Sequence, residues 1–181
     1  MPGAPFDSAV WRKRAWNRFQ HAIRSPNRQP ARGPEAQWVC DLIHIAHLDT
    51  VIAWAASKGI TVLFAKRESG LYDPHNKVVT ITARANPEKQ LYYLLHECGH
   101  HLIGMKELHI RFGMGYPRGN DPAVNRTFHH KVSCLDEELE AWHRGWKLAV
   151  RLGLNLDRES FDFVRLTCVR TYVKWAARAG K

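Results

Sequence analysis

Residues 96–100 read His-Glu-Cys-Gly-His. Two histidines four positions apart in a helix stand one turn apart on one face. Both imidazoles can then reach one divalent cation, and the glutamate between them is held beside a water on that cation. The chemistry this pattern predicts is a zinc site in which His96 and His100 are ligands and Glu97 is a general base. Such a site needs a third protein ligand and leaves its fourth position to water.

Carboxylates for that third place lie some forty residues on, at Glu137, Glu138 and Glu140. At about 100° per residue, and with Leu135 set to zero, the apolar positions Leu135, Leu139, Trp142, Trp146 and Val150 centre at about 10–30°. Glu137 and Glu140 then fall at about 200° and 140°, which predicts solvent, whereas Glu138 at about 300° stands at the rim of the buried face. Ala141 and Gly145 on the same side are small and would admit a close helix neighbour. The sequence also offers a histidine as third ligand, because His129 and His130 follow a Pro/Gly-rich stretch. Paired polar residues there are expected to be exposed. His44 and His47 read as ordinary helix-face histidines, Cys98 as a buried, inert thiol, and the Trp-rich faces as core. A donor for a developing oxyanion is expected among Tyr93, Tyr116, His129, His130 and His143, which sequence does not separate.

These residues need elements to hold them. Asn86-Pro87-Glu88 places an N-cap, a proline at the first helical position and an acidic first turn, predicting a helix over 87–103 that Gly104 stops. On it Leu91, Leu95, Cys98 and Leu102 form an apolar stripe, with His96 and His100 turned away from it. Residues 104–131 form a long connection rich in Gly, Pro and Asn. Ser133 and Asp136 suggest a capping pattern opening a helix to about Leu152, and a last helix is expected from about Asp157 to Ala177. Upstream, a helix should run from about Glu35 to Ser57. The β-branched runs 60–65 and 77–83 follow, read as two antiparallel strands across a turn-rich segment. The fold class is therefore α+β, mostly helical, with a small antiparallel sheet beside the His-Glu helix.

The chain has 181 residues, enough for one domain with short appendages, and its 45% hydrophobic and 24% charged residues exclude a disordered or collagen-like chain. No apolar run reads as a membrane span or signal peptide, and four widely spaced cysteines favour free thiols, so a cytoplasmic location is expected. The net charge of +10 resides at the two ends, +6 over residues 1–34 and +4 over 158–181. Trp11, Ala15, Trp16, Phe19 and Ile23 recur at helical spacing among arginines, and SPNRQPARGP follows. The first 34 residues thus read as a basic amphipathic helix and linker, and 35–181 as the catalytic domain. The basic ends could meet nucleic acid, an acidic partner or a membrane surface.

The runs ITVLFAK and KVVTITA, then LLHECGHHL, then Glu138-Leu139-Glu140-Ala141, together resemble the ImmA/IrrE-like metallopeptidases, which have a gluzincin-type zinc site. The likeness spans about residues 35–155. It implies that Glu138, the first glutamate of E-x-E-A, is the third zinc ligand. It also implies peptide hydrolysis on a protein substrate, for which a regulator such as a transcriptional repressor is the class the resemblance suggests. The rival expectation is a nucleic-acid-binding or DNA-associated protein with a structural or vestigial zinc site, including a SprT-like site with a third histidine.

Overall fold

The computed structural model describes residues 34–66, 70–111 and 127–177. In chain order the elements are α1 (Pro34–Ser57), β1 (Thr61–Ala65), β2 (Leu71–Asp73), β3 (Val78–Thr82), α2 (Pro87–Arg111), α3 (Phe128–Arg151) and α4 (Arg158–Ala176). The chain is α+β and mostly helical. The basic segment 1–33 lies outside the described residues.

The small sheet differs from the expected antiparallel pair. β3 is its middle strand; β1 runs parallel to β3, from Thr61 opposite Val78 to Ala65 opposite Thr82, and β2 pairs antiparallel on the other side. The turn-rich stretch contains a third strand that forms a hairpin with β3. Its turn is tied by the Asp73 carboxylate, which accepts the His75 and Asn76 backbone N–H groups at 2.9 and 3.2 Å. With that side of β3 taken, β1 must reach the opposite side, and residues 66–77 supply the dozen or so residues a parallel connection needs. Alternating hydrophobicity fixes which face of a strand is buried and carries no information on its direction.

α2 is the central element and packs against α1, α3, α4, β2 and β3. Its Leu91, Tyr92, Leu94, Leu95 and Cys98 are fully buried, together with Val51 and Ala55 of α1 and Val79 and Ile81 of β3. Asn86 caps it as predicted, its side-chain oxygen accepting the Lys89 N–H at 3.0 Å. Gly104 (φ 74°, ψ 151°) breaks the helix, but helical structure resumes as far as Arg111. The carbonyl of Leu102, freed by that break, accepts Arg144 Nη1 at 2.6 Å.

α3 begins earlier than Ser133. Thr127 is its N-cap and accepts the His130 N–H at 3.1 Å, so His129 and His130 lie in the first helical turn instead of a loop. α4 starts where predicted, capped by Asp157. It enters the core through Phe161, whose ring meets Tyr92, Trp142 and Trp146 at centroid distances of 5.3, 5.4 and 5.1 Å. In α1, the stretch Trp38–Ser57 is long and apolar enough by composition to cross a membrane, with mean hydropathy 1.3, contrary to the expectation that no run qualifies. Leu48, Val51 and Ala55 of that stretch pack into the core described above, while Val39 and Ile43 are exposed.

Candidate metal centre

The site forms where α2 and α3 cross at close range. Gly99 faces Ala141: a Cβ on Gly99 would stand 1.9 Å from the Ala141 carbonyl oxygen, and one on Gly145 would stand 2.5 Å from that of Leu95. The missing side chains let the two backbones touch on either side of the His-Glu motif. The small residues Ala141 and Gly145 thus play the part expected of them, and Gly99 joins them from the facing helix.

At this seam the structure brings together His96, His100 and Glu138, whose candidate ligand atoms all lie within 4.8 Å of one another. His96 Nε2 is 3.3 Å from His100 Nε2 and 3.2 Å from Glu138 Oε2, and His100 Nε2 is 3.6 Å from Glu138 Oε1. Donors around a tetrahedral ion with bonds of roughly 2.0–2.1 Å lie about 3.3 Å apart, so the spacing fits a single small cation without rearrangement. The group can hold a metal ion. His129 and His130 are not part of it: His129 is exposed, and His130 is buried against Cys134, with Sγ 3.5 Å from Nε2, and against Trp175.

The two histidines are oriented differently. His96 stacks on Trp142, with ring centroids 4.4 Å apart and planes at 21°, and its buried Nδ1 has no hydrogen-bond partner. His100 is held by a carboxylate, its Nδ1 lying 3.1 Å from Glu137 Oε1. A carboxylate only accepts, so this contact places the proton on Nδ1 and leaves Nε2 for a metal. Burial opposes charging of His100, but the hydrogen bond to Glu137 and the charges of Glu138 and Glu97 outweigh it and push its pKa up to about 9. Burial also works against ionised Glu138, yet His96, His100 and a hydrogen bond from Tyr172 hold its carboxyl below the ordinary value.

Glu97 is 6% exposed, and burial raises its carboxyl above the usual range against the pull of His96 and His100. The backbone N–H of Tyr72 in β2 adds a smaller downward pull on that carboxyl. Gly70 makes room for it, since a Cβ there would come within 2.6 Å of Glu97 Oε1. The Tyr72 hydroxyl, 2.8 Å from His101 Nδ1, ties the same strand to α2 beyond the motif. The short strand that sequence reading passed over is thus the wall against which the glutamate rests.

Glu137 and Glu140 do not face open solvent. Glu137 meets His100, and Glu140 accepts Arg144 Nε at 2.8 Å. Leu139 and Val150, expected inside, are exposed. The buried residues of α3 are His130, Lys131, Ala141, Trp142, Gly145, Leu148 and Ala149. On the same angular scale these centre at about 280°, which puts Glu138 in the middle of the face and Glu137 at its edge. Large apolar residues alone misplace the stripe because the closest contact uses the smallest side chains. Of the oxyanion candidates, Tyr93 is half-buried, His143 exposed, and Tyr116 outside the described residues. The phenol that reaches the site is Tyr172 of α4, legible as the continuation of the Phe161, Val164, Cys168 stripe at helical spacing. Cys98 is fully buried and its thiol is pushed up by burial, in keeping with an inert role.

Comparison with known proteins returns no matching family model, no matching curated protein and no matching solved structure. The reading of function therefore rests on the site itself and on the motif likeness.

Proposed function

We propose that the chain is a zinc-dependent metallopeptidase that hydrolyses a peptide bond in a protein substrate. The observation that carries this reading is the convergence of His96, His100 and Glu138 from two helices, at tetrahedral spacing, with Glu97 buried beside them. The donor set of two imidazoles and one carboxylate suits zinc, and three protein ligands leave a place for water. Held by His96, His100 and Glu138, a zinc ion would supply an acidified water and polarisation of the scissile carbonyl. Glu97 takes the proton of the attacking water at its carboxylate and delivers it to the departing amine. Gly70 walls that carboxylate in, and Trp142 fixes the plane of His96. A regulatory protein as substrate follows from the ImmA/IrrE-like resemblance.

The test is metal content and hydrolysis on the purified full-length chain, with a degenerate peptide library as substrate and new N-termini as readout. One zinc per chain and cleavage are expected in the wild type. Glu97→Gln should keep the zinc and stop cleavage, while Glu138→Ala should lose the zinc and Glu140→Ala should keep it. Metal-independent cleavage, or full zinc in Glu138→Ala, overturns the assignment.

A further inference from the structure

Glu137 touches the ligand set from outside without belonging to it, through His100. We propose that Glu137 is a positioning residue of the metal centre, setting which nitrogen of His100 is presented to the ion. This rests on the metal-centre reading above.

His100 is the ligand whose ring would otherwise be free to turn. His96 is clamped by the Trp142 face at 4.4 Å and needs no second hydrogen bond to fix its plane. No ring contact with Trp142 is seen for His100, and its 3.1 Å bond to Glu137 does that work. An imidazole donating Nδ1–H to a carboxylate has its tautomer fixed and its Nε2 made a better donor to metal. Glu137 suits the task because it is only partly exposed, its side chain 14% accessible, so water does not dissipate the interaction.

The experiment measures zinc affinity of the full chain by competition with a chromophoric chelator, alongside the visible spectrum of the cobalt(II)-substituted protein. Glu137→Ala should weaken zinc about 10- to 100-fold, and Glu137→Gln, which keeps an acceptor for Nδ1–H, should recover most of that loss. Glu140→Ala, an equally placed carboxylate paired with Arg144, should match the wild type. If Glu137→Ala binds zinc as tightly as wild type with an unchanged cobalt spectrum, the inference fails and the metal centre stands. If Glu140→Ala weakens zinc as much as Glu137→Ala, the effect is general loss of packing and the inference fails. A wild-type chain that takes up neither metal overturns the metal centre and this inference together.

Discussion

Replacing Gly99 by alanine separates two effects that normally go together. In an ordinary helix interior Gly→Ala gains up to about 1 kcal/mol, because glycine loses the most backbone freedom on folding. At Gly99 the added Cβ would lie 1.9 Å from the Ala141 carbonyl oxygen, where real contacts stop near 3.0 Å, so about 1.1 Å must be found. The obstacle is backbone, which no rotamer change relieves, and α2 and α3 must move apart. Overpacking of this kind costs roughly 1–3 kcal/mol. At the upper end, less the propensity gain, the net loss is about 2 kcal/mol, or roughly 4–8 °C in Tm for a chain of this size. The same retreat acts on the ligands, because His96 and His100 ride on one helix and Glu138 on the other. The 3.2 Å between His96 Nε2 and Glu138 Oε2 would widen past the roughly 3.3 Å that a tetrahedral ion spans. Thermal unfolding in excess chelator should therefore show the lower Tm, with metal loss excluded as its cause. Chelator competition should separately show zinc affinity reduced more than about tenfold, the fold-change at which an outer-sphere perturbation already registers. Gly153→Ala is the control: its φ of +68° is unfavourable for alanine but no atom lies near the new Cβ, so it should lose stability and keep zinc affinity. A Gly99→Ala protein that melts at or above the wild-type temperature and binds zinc equally well would refute the close-contact argument.

Two further outcomes follow from other parts of the structure. Gly70→Ala would place a Cβ 2.6 Å from Glu97 Oε1, and the carboxylate must swing aside; zinc content and Tm should stay near wild type while kcat falls by about tenfold to a hundredfold, and an unchanged kcat would contradict a role for this wall. Acid should loosen α4 first: Asp162, though burial works against its charge, is held low by Arg158 and Arg165, and Asp157 is held low chiefly by its bonds to Ser160. Groups with lowered folded pKa values stabilise fully above the ordinary carboxylate value, and that contribution is lost as pH falls through the lowered ones. Hydrogen exchange in α4 should thus accelerate below about pH 4, and a Asp157→Asn, Asp162→Asn double variant should show a weaker dependence there.

How much of this was legible in the residues depends on which signal each element carries. Helix starts with a capping residue and a proline, as at Asn86-Pro87, or a capping aspartate, as at Asp157, were placed well because the cap is a local bond between neighbours in sequence. The start of α3 was placed six residues late: Ser133 and Asp136 fit a capping pattern, but Thr127 makes the bond. The sheet's mixed direction was not legible, since burial of Val79 and Ile81 is the same for parallel and antiparallel neighbours. The three-residue strand β2 is too short for alternation to register, and it is the strand that holds Glu97.

The grouping of His96, His100 and Glu138 was easier to read than the contacts around it, for a physical reason. Ligands to one ion must satisfy a fixed spacing, and within a helix that spacing is written directly as i and i+4. Glu138 was then found by angle, although the assumed face was centred some 90–110° away from the observed one. The choice survived because Glu138 lies at about 300°, inside both the assumed rim and the true centre. Glu137 had no such margin and was assigned to solvent. The informative residues were the glycines. A glycine inside a helix costs stability unless something needs the space, and Gly99 and Gly145 pay that cost at the two points where backbone meets backbone. Taken as contact points, they turn α3 until Glu138 faces the histidines and Glu137 comes into reach of His100. The centre is thus specified as much by side chains the sequence leaves out as by those it supplies.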